Sequence, residues 1–78
     1  MSIKKELARE INMLEQEIKL LEEKRSRSQA VIIEALLSHV MPDERDVAYF
    51  RAFTEQINLK RERVQKLTAE LSKIVNKK

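Results

Sequence analysis

The amino-acid sequence predicts an all-α fold, an antiparallel two-helix hairpin of coiled-coil character that dimerises into a four-helix bundle. Three observations carry this. The 78 residues include no glycine and a single proline, Pro42, close to the midpoint. Apolar residues recur at alternating spacings of three and four on both sides of that proline. Charged residues make up 37% of the chain, and most of the remaining positions hold Leu, Ile or Ala, which tolerate helical geometry well.

The same composition excludes several classes of function. Without glycine there is no phosphate-cradling loop or dinucleotide-binding turn, and no left-handed helix cap of the usual kind, since those geometries favour a residue lacking Cβ. Without cysteine there is no disulfide framework, zinc–thiolate cluster or thiol nucleophile. No stretch approaches the ~20 uninterrupted apolar residues of a membrane span, and Met1 to Glu10 lacks the apolar run of a signal peptide. A cytoplasmic protein with no membrane partner is the expectation.

The first element is a helix over about residues 2–40, where nothing breaks the backbone. Its seam is Leu7, Ile11, Leu14, Ile18 and Leu21, the stripe by which one helix packs along another. A break at Ser26 to Ser28, giving three helices, is the alternative. The turn falls at about residues 41–43, because Pro42 pushes Met41 toward extended geometry and Pro42 or Asp43 can open a new helix. Asp43, Glu44 and Asp46 place negative charge at the positive end of that second helix.

The second helix, about residues 43–76, carries Val47, Phe50, Thr54, Ile57, Arg61, Val64, Thr68, Leu71 and Val75 at strictly alternating spacings. Leu67 and Ile74 widen this stripe, and Lys73, Lys77 and Lys78 suit the negative end of the helix dipole. A hairpin turning near Pro42 sets opposite each other residues whose numbers add to 85 or 86. Ile11 then meets Ile74 or Val75, Leu14 meets Leu71, Ile18 meets Leu67 or Thr68, Leu21 meets Val64 and Leu36 meets Phe50. Arg25 falls opposite Arg61, and Ser28 opposite Ile57.

Two helices touching along one seam do not enclose a core, and chains of this size are marginal even when they do. Near the turn the first helix is apolar nearly all round, from Ala30 to Met41, and the three aromatics Tyr49, Phe50 and Phe53 cluster across from it. That excess marks an interface. Ile33, Leu37, Tyr49 and Phe53 are the expected anchors, since they lie off the stripe that the hairpin needs. A homo-oligomer, most simply a dimer, is therefore expected, with a groove for a protein client as a compatible second use. The corresponding function is a non-enzymatic scaffold, adaptor or small chaperone.

Charge supplies the alternative function. Residues 59–78 carry seven Lys or Arg against two Asp or Glu. In the expected register Lys24, Arg25 and Arg27 share a level with Lys60, Arg61 and Arg63, a mid-rod basic band able to hold phosphates of a nucleic acid. In outline this resembles small helical-hairpin dimers that bind RNA. Interleaved Glu22, Glu23 and Glu62 offer the simpler reading of a solvated face with i, i+4 pairs such as Glu23 to Arg27 and Glu62 to Lys66. Arg25 and Arg61 on the seam are then register-setting residues whose charges reach out to solvent.

Catalytic groups are few. His39 lies near Asp43 and Glu44, but the helix break between them leaves no metal geometry, and neither metal nor cofactor is expected. Ser38 stands beside His39 in sequence, where adjacent helical side chains point in different directions. Leu20, Leu21, Glu22, Glu23, Lys24 and Arg25, with Pro42, Asp43, Glu44 and Arg45, are similar to stretches of the all-helical chorismate mutases, whose arginines grip a dicarboxylate. The lysine which that family places beyond its first arginine has no counterpart, since Ile32, Ile33, Glu34 and Ala35 stand there, and a third helix is missing. No catalytic residue is assigned.

Overall fold

The chain was described with a computed structural model covering residues 2–76. Helix α1 (Ile3–Leu37) and helix α2 (Glu44–Asn76) are joined by residues 38–43 and lie along each other in a rod of 61 × 16 × 16 Å. Lys77 and Lys78, expected to complement the end of α2, lie outside the described residues. Helix α1 runs through Ser26 and Ser28 without interruption. Isolated serines cost a helix only a few tenths of a kcal/mol relative to its better formers, and the flanking Arg, Gln and Ala are strong ones.

Helix α1 ends at Leu37, three residues before the expected Val40, and a left-handed cap ends it. His39 has φ 59°. Its N–H donates to the Leu36 carbonyl at 3.1 Å, and the Val40 N–H donates to the Ala35 carbonyl at 2.9 Å. These two bonds form a Schellman motif, which closes the orphan carbonyls of the last turn. Glycine is the usual residue there, but His is among the side chains that visit this region most readily. The absence of glycine thus excluded less than composition implied. Because a Cβ in left-handed geometry costs about 1–2 kcal/mol, His39→Gly is expected to stabilise the fold by about 1 kcal/mol and His39→Val to destabilise it. Thermal unfolding of the three proteins at one concentration checks this.

Helix α2 opens with Asp43 as its cap. The Asp43 carboxylate accepts the Arg45 N–H at 2.8 Å, and the Asp43 carbonyl accepts the first helical bond from the Val47 N–H at 3.2 Å. The Arg45 N–H, helped by the Arg45 guanidinium 3.6 Å away, holds the Asp43 carboxyl below its usual range. An ionised Asp43 at the positive end of the dipole is the state that caps best.

On α1 the residues turned inward are Leu7, Ile11, Leu14, Ile18, Leu21, Arg25, Ser28, Ile32 and Ala35, an unbroken alternation of four and three. On α2 they are Val47, Phe50, Thr54 and Ile57, then Lys60, Val64, Leu67 and Leu71. The expected stripe is followed except at two positions beyond Ile57, where Lys60 and Leu67 turn inward in place of Arg61 and Thr68 while Val64 and Leu71 keep their expected places, and at Val75, which is exposed. Leu67 is buried while Thr68 is exposed, and Lys60 is more enclosed than Arg61. Burying leucine in place of threonine drives this shift, since it removes more apolar surface from water and strands no hydroxyl. Thr54 stays on the seam because its hydroxyl donates to the Phe50 carbonyl of its own helix at 2.8 Å. Ile57, at 0% exposure, is the one fully enclosed side chain among the described residues.

The register differs from the expected one. The cross-helix ion pairs Glu10–Arg63, Glu17–Lys60 and Glu22–Arg61 have numbers adding to 73, 77 and 83. The helix ends joined by the turn, Leu37 and Glu44, add to 81. Residues at one level of the rod thus add to about 80. At 85 or 86, Glu10 and Arg63 would stand roughly 18 Å apart along the axis, beyond the reach of their side chains. Helix α2 therefore sits about 8 Å further from the turn than expected, at 1.5 Å per residue. The cause is the early end of α1, which centres the turn on residues 40 and 41. Leu36, Ile74 and Val75, which the expected pairing buried, are exposed. Arg25 lies level with Thr54 and Glu55, and Arg61 is about 9 Å further along the axis, so the two arginines do not oppose each other.

Candidate interaction surface

The surface begins with what the hairpin leaves uncovered. Only Ile18, Ile57 and Leu67 are buried among the large apolar residues described. Around the turn Val31, Ile33, Leu36, Leu37, Val40, Met41 and Tyr49 are all exposed, with Leu37 at 77% and Met41 at 86%. Local backbone chemistry explains this crowding. The left-handed cap at His39 directs Val40 and Met41 away from the helix axis, and Pro42 prevents the chain from resuming a helix that would fold them in.

Of the four anchors read from the sequence, Ile33, Leu37 and Tyr49 are exposed and Phe53 is half-buried. Tyr49 and Phe53, one helical turn apart, stack with ring centroids at 6.3 Å and planes at 20°. Offset stacking of this kind holds two aromatic faces in one orientation on the surface of α2. Ile33 and Leu37 share one side of α1 by their spacing of four.

The cations are arranged differently from a single band. Lys60 pairs with Glu17 at 2.7 Å, Arg61 with Glu22 at 2.5 Å and Arg63 with Glu10 at 3.4 Å. Lys24 and Arg27 are exposed, Arg25 is half-buried, and none of these three has an ion pair among the described residues. With levels adding to about 80, the α1 cations stand roughly 10 Å nearer the turn than the α2 cations. The six charges form two groups, one of them neutralised by the opposite helix. Each such surface pair contributes about 0–1 kcal/mol, so their main effect is on the sign of the surface.

No protein-family model, curated protein or solved structure matches this chain. No group of three or more His, Asp or Glu side chains able to hold a metal ion occurs among the described residues, and His39 serves the backbone cap. Among the described residues no helix is long and apolar enough to cross a membrane.

The pattern of the α1 seam did not single out Met13 and Leu20, which are 57% and 58% exposed. They stand seven residues apart on the side that carries Glu10 and Glu17. Their heptad spacing is a second stripe, parallel to the first and visible in the sequence once the first has been subtracted.

Proposed function

We propose that this chain is a non-enzymatic protein–protein interaction module, a homodimeric helical scaffold whose turn end receives a protein partner. The observation that carries this reading is the cluster of seven exposed large apolar side chains around the turn, far more than scattered surface residues would supply and of the kind that marks interfaces. A rod with so little enclosed apolar surface gains most of its remaining burial by association. Ile33, Leu37, Tyr49 and Phe53 are the residues on which that contact rests.

A nucleic-acid function draws less support. Lys60, Arg61 and Arg63 are engaged by glutamates, and Lys24, Arg25 and Arg27 form a separate group, so phosphate neutralisation has few unpaired cations at any one level.

Sedimentation across the micromolar range tests the reading, with Ile33→Asp and Leu37→Asp combined as the comparison. A helical dimer is expected for the wild type, and weaker self-association or loss of a captured partner is expected for the variant. A stable helical monomer at every concentration, with no protein partner, would overturn the reading. Labelled RNA and duplex DNA titrated at two salt concentrations, with Arg25, Arg27, Arg61 and Arg63 changed to Gln as control, are expected to show no salt-dependent binding.

A further inference from the structure

The hairpin has two broad faces, one carrying the Glu22–Arg61 pair and the other the Glu17–Lys60 and Glu10–Arg63 pairs. Near the turn of the first face Met41, Pro42, Glu44, Val47, Ala48 and Arg51 line one groove. Helical spacing brings Ile33 and Leu36 of α1, both exposed, to the same side. Away from the turn this face is polar, with Asn12, Lys19 and Ser26 on α1 and Asn58, Gln65 and Ser72 on α2. Two opposite charges stand within the apolar part, Glu44 and Arg51, one heptad apart. Both are exposed, and neither has an ion pair among the described residues.

We infer that a second copy of this chain docks on the turn end of this face, the two rods pointing in opposite directions and overlapping only there, about a two-fold axis beside Val47 and Ala48. The inference rests on the dimer reading and deepens it. Residues of the two α2 helices whose numbers add to 95 then face each other, so Glu44 meets the partner's Arg51 and Arg51 meets the partner's Glu44. Ile33, level with Val47 and Ala48, faces the partner's Ile33. Met41, 86% exposed, comes level with the partner's Thr54, in a second groove lined by Phe50, Thr54 and Asn58. One surface is thus complementary to itself in both shape and charge, as a two-fold contact requires.

Other arrangements leave charges unmatched. With both turns at the same end, α1 lies on the partner's α2, so Leu36 covers the partner's Glu44 and Gln29 meets the partner's Arg51. With the rods overlapped over their whole length in opposite directions, the apolar tip lies against the partner's Lys5 and Ser72. On the other face, joining Arg27 to the partner's Glu34 sets Lys24 on the partner's Leu37 and Asp46 on the partner's Phe53, and both charges lose water without gaining a partner. The Tyr49–Phe53 stack therefore stays uncovered in the dimer. An overlap of about 22 Å, from the axis to the tip of each copy at 1.5 Å per residue, on a rod 16 Å wide covers roughly 350 Å² per copy. That is a small interface, for which a reversible dimer with a micromolar Kd is expected.

Sedimentation equilibrium reads the charge pairing directly. Glu44→Arg alone and Arg51→Glu alone are each expected to raise the dimer Kd at least tenfold while helicity by circular dichroism is kept. Mixed in equal amounts, the two variants are expected to associate within threefold of the wild type, because each then supplies the charge that the other needs. Single variants that associate like the wild type, or a mixture that stays as weak as its components, overturn the pairing. A chain with no cysteine also permits a distance measurement. Lys66→Cys, exposed and on neither broad face, carries one nitroxide per copy for pulsed electron paramagnetic resonance. About 55–60 Å between copies is expected, whereas less than about 35 Å means rods side by side over their length and about 75 Å or more means tips meeting end on, and either overturns the overlap. A wild type that stays monomeric throughout removes the dimer reading itself, an outcome separable from the others.

Discussion

Replacing Ile57 by alanine is expected to lower the unfolding free energy by about 2–4 kcal/mol, the usual cost of truncating a fully buried aliphatic side chain. Ile57 is the only side chain with no exposed surface among the described residues, and no second layer stands ready to collapse into the space it leaves. In a protein of this size that loss approaches the whole of the stability a single core supplies, so the variant is expected to lose its cooperative transition near room temperature. Leu67→Ala should behave similarly and Thr68→Ala should fall within about 0.5 kcal/mol of the wild type. Urea unfolding followed by circular dichroism, at one protein concentration, separates these cases. Equal losses at positions 67 and 68 would return the seam to the strictly alternating stripe.

The register has an equally large expected consequence. Leu14→Cys with Leu67→Cys places two thiols on the seam at nearly one level of the rod, so oxidation is expected to close a disulfide within the chain. The oxidised form should exceed the reduced form in stability by about 3–4 kcal/mol, the loop-closure entropy of roughly fifty residues removed from the unfolded chain. Leu14→Cys with Leu71→Cys, one helical turn away, should oxidise at least tenfold more slowly within the chain. Reversed rates would mean that α2 sits nearer the turn. Mobility on non-reducing gels and unfolding with and without reductant provide the measurement.

Much of the fold is legible in the residues. Two helices, their antiparallel arrangement and the α1 seam from Leu7 to Ser28 follow from the absence of breakers and from the three-and-four spacing, whereas nearer the turn Ile32 and Ala35 face inward in place of the expected Leu36. The exact end of α1 does not, because His39 is no helix breaker by composition and adopts its left-handed geometry only in the context of a cap. From that one residue the register error follows. A seam of alternating spacing finds apolar matches at every half-heptad step, so matched leucines alone do not choose among several alignments. Arg25 does choose. The alignment in which it faces Arg61 sets two guanidinium groups together on a partly dry seam, an arrangement that costs several kcal/mol. In the structure Arg25 lies level with Thr54 and Glu55, and Arg61 reaches Glu22 instead. The coincidence of two arginines was a sign against that alignment.

The exposed apolar cluster is legible in the sequence at the turn, where apolar residues outnumber what one seam needs, and the exposed residues along the length of the rod are less so. Met13 and Leu20 are ordinary members of a helix with many leucines and isoleucines. Only subtraction of the true seam separates a leucine that faces α2 from one that faces outward. The two broad faces also become distinguishable only when ion pairs such as Glu17–Lys60 and Glu22–Arg61 show which flank is which.

The flush open end of the hairpin has a mechanical consequence. Ile3 and Asn76 lie at the same end of the rod, and α1 has 35 residues, which at 1.5 Å per residue is about 52 Å. Anything anchored through that end, by either strand of the chain, is held about 50 Å from the turn by two helices without a glycine between them. The rod acts as a stand-off of fixed length that positions its apolar tip at a set height above whatever it is mounted on, and inserting or deleting whole heptads in both helices would change that height in steps of about 10 Å.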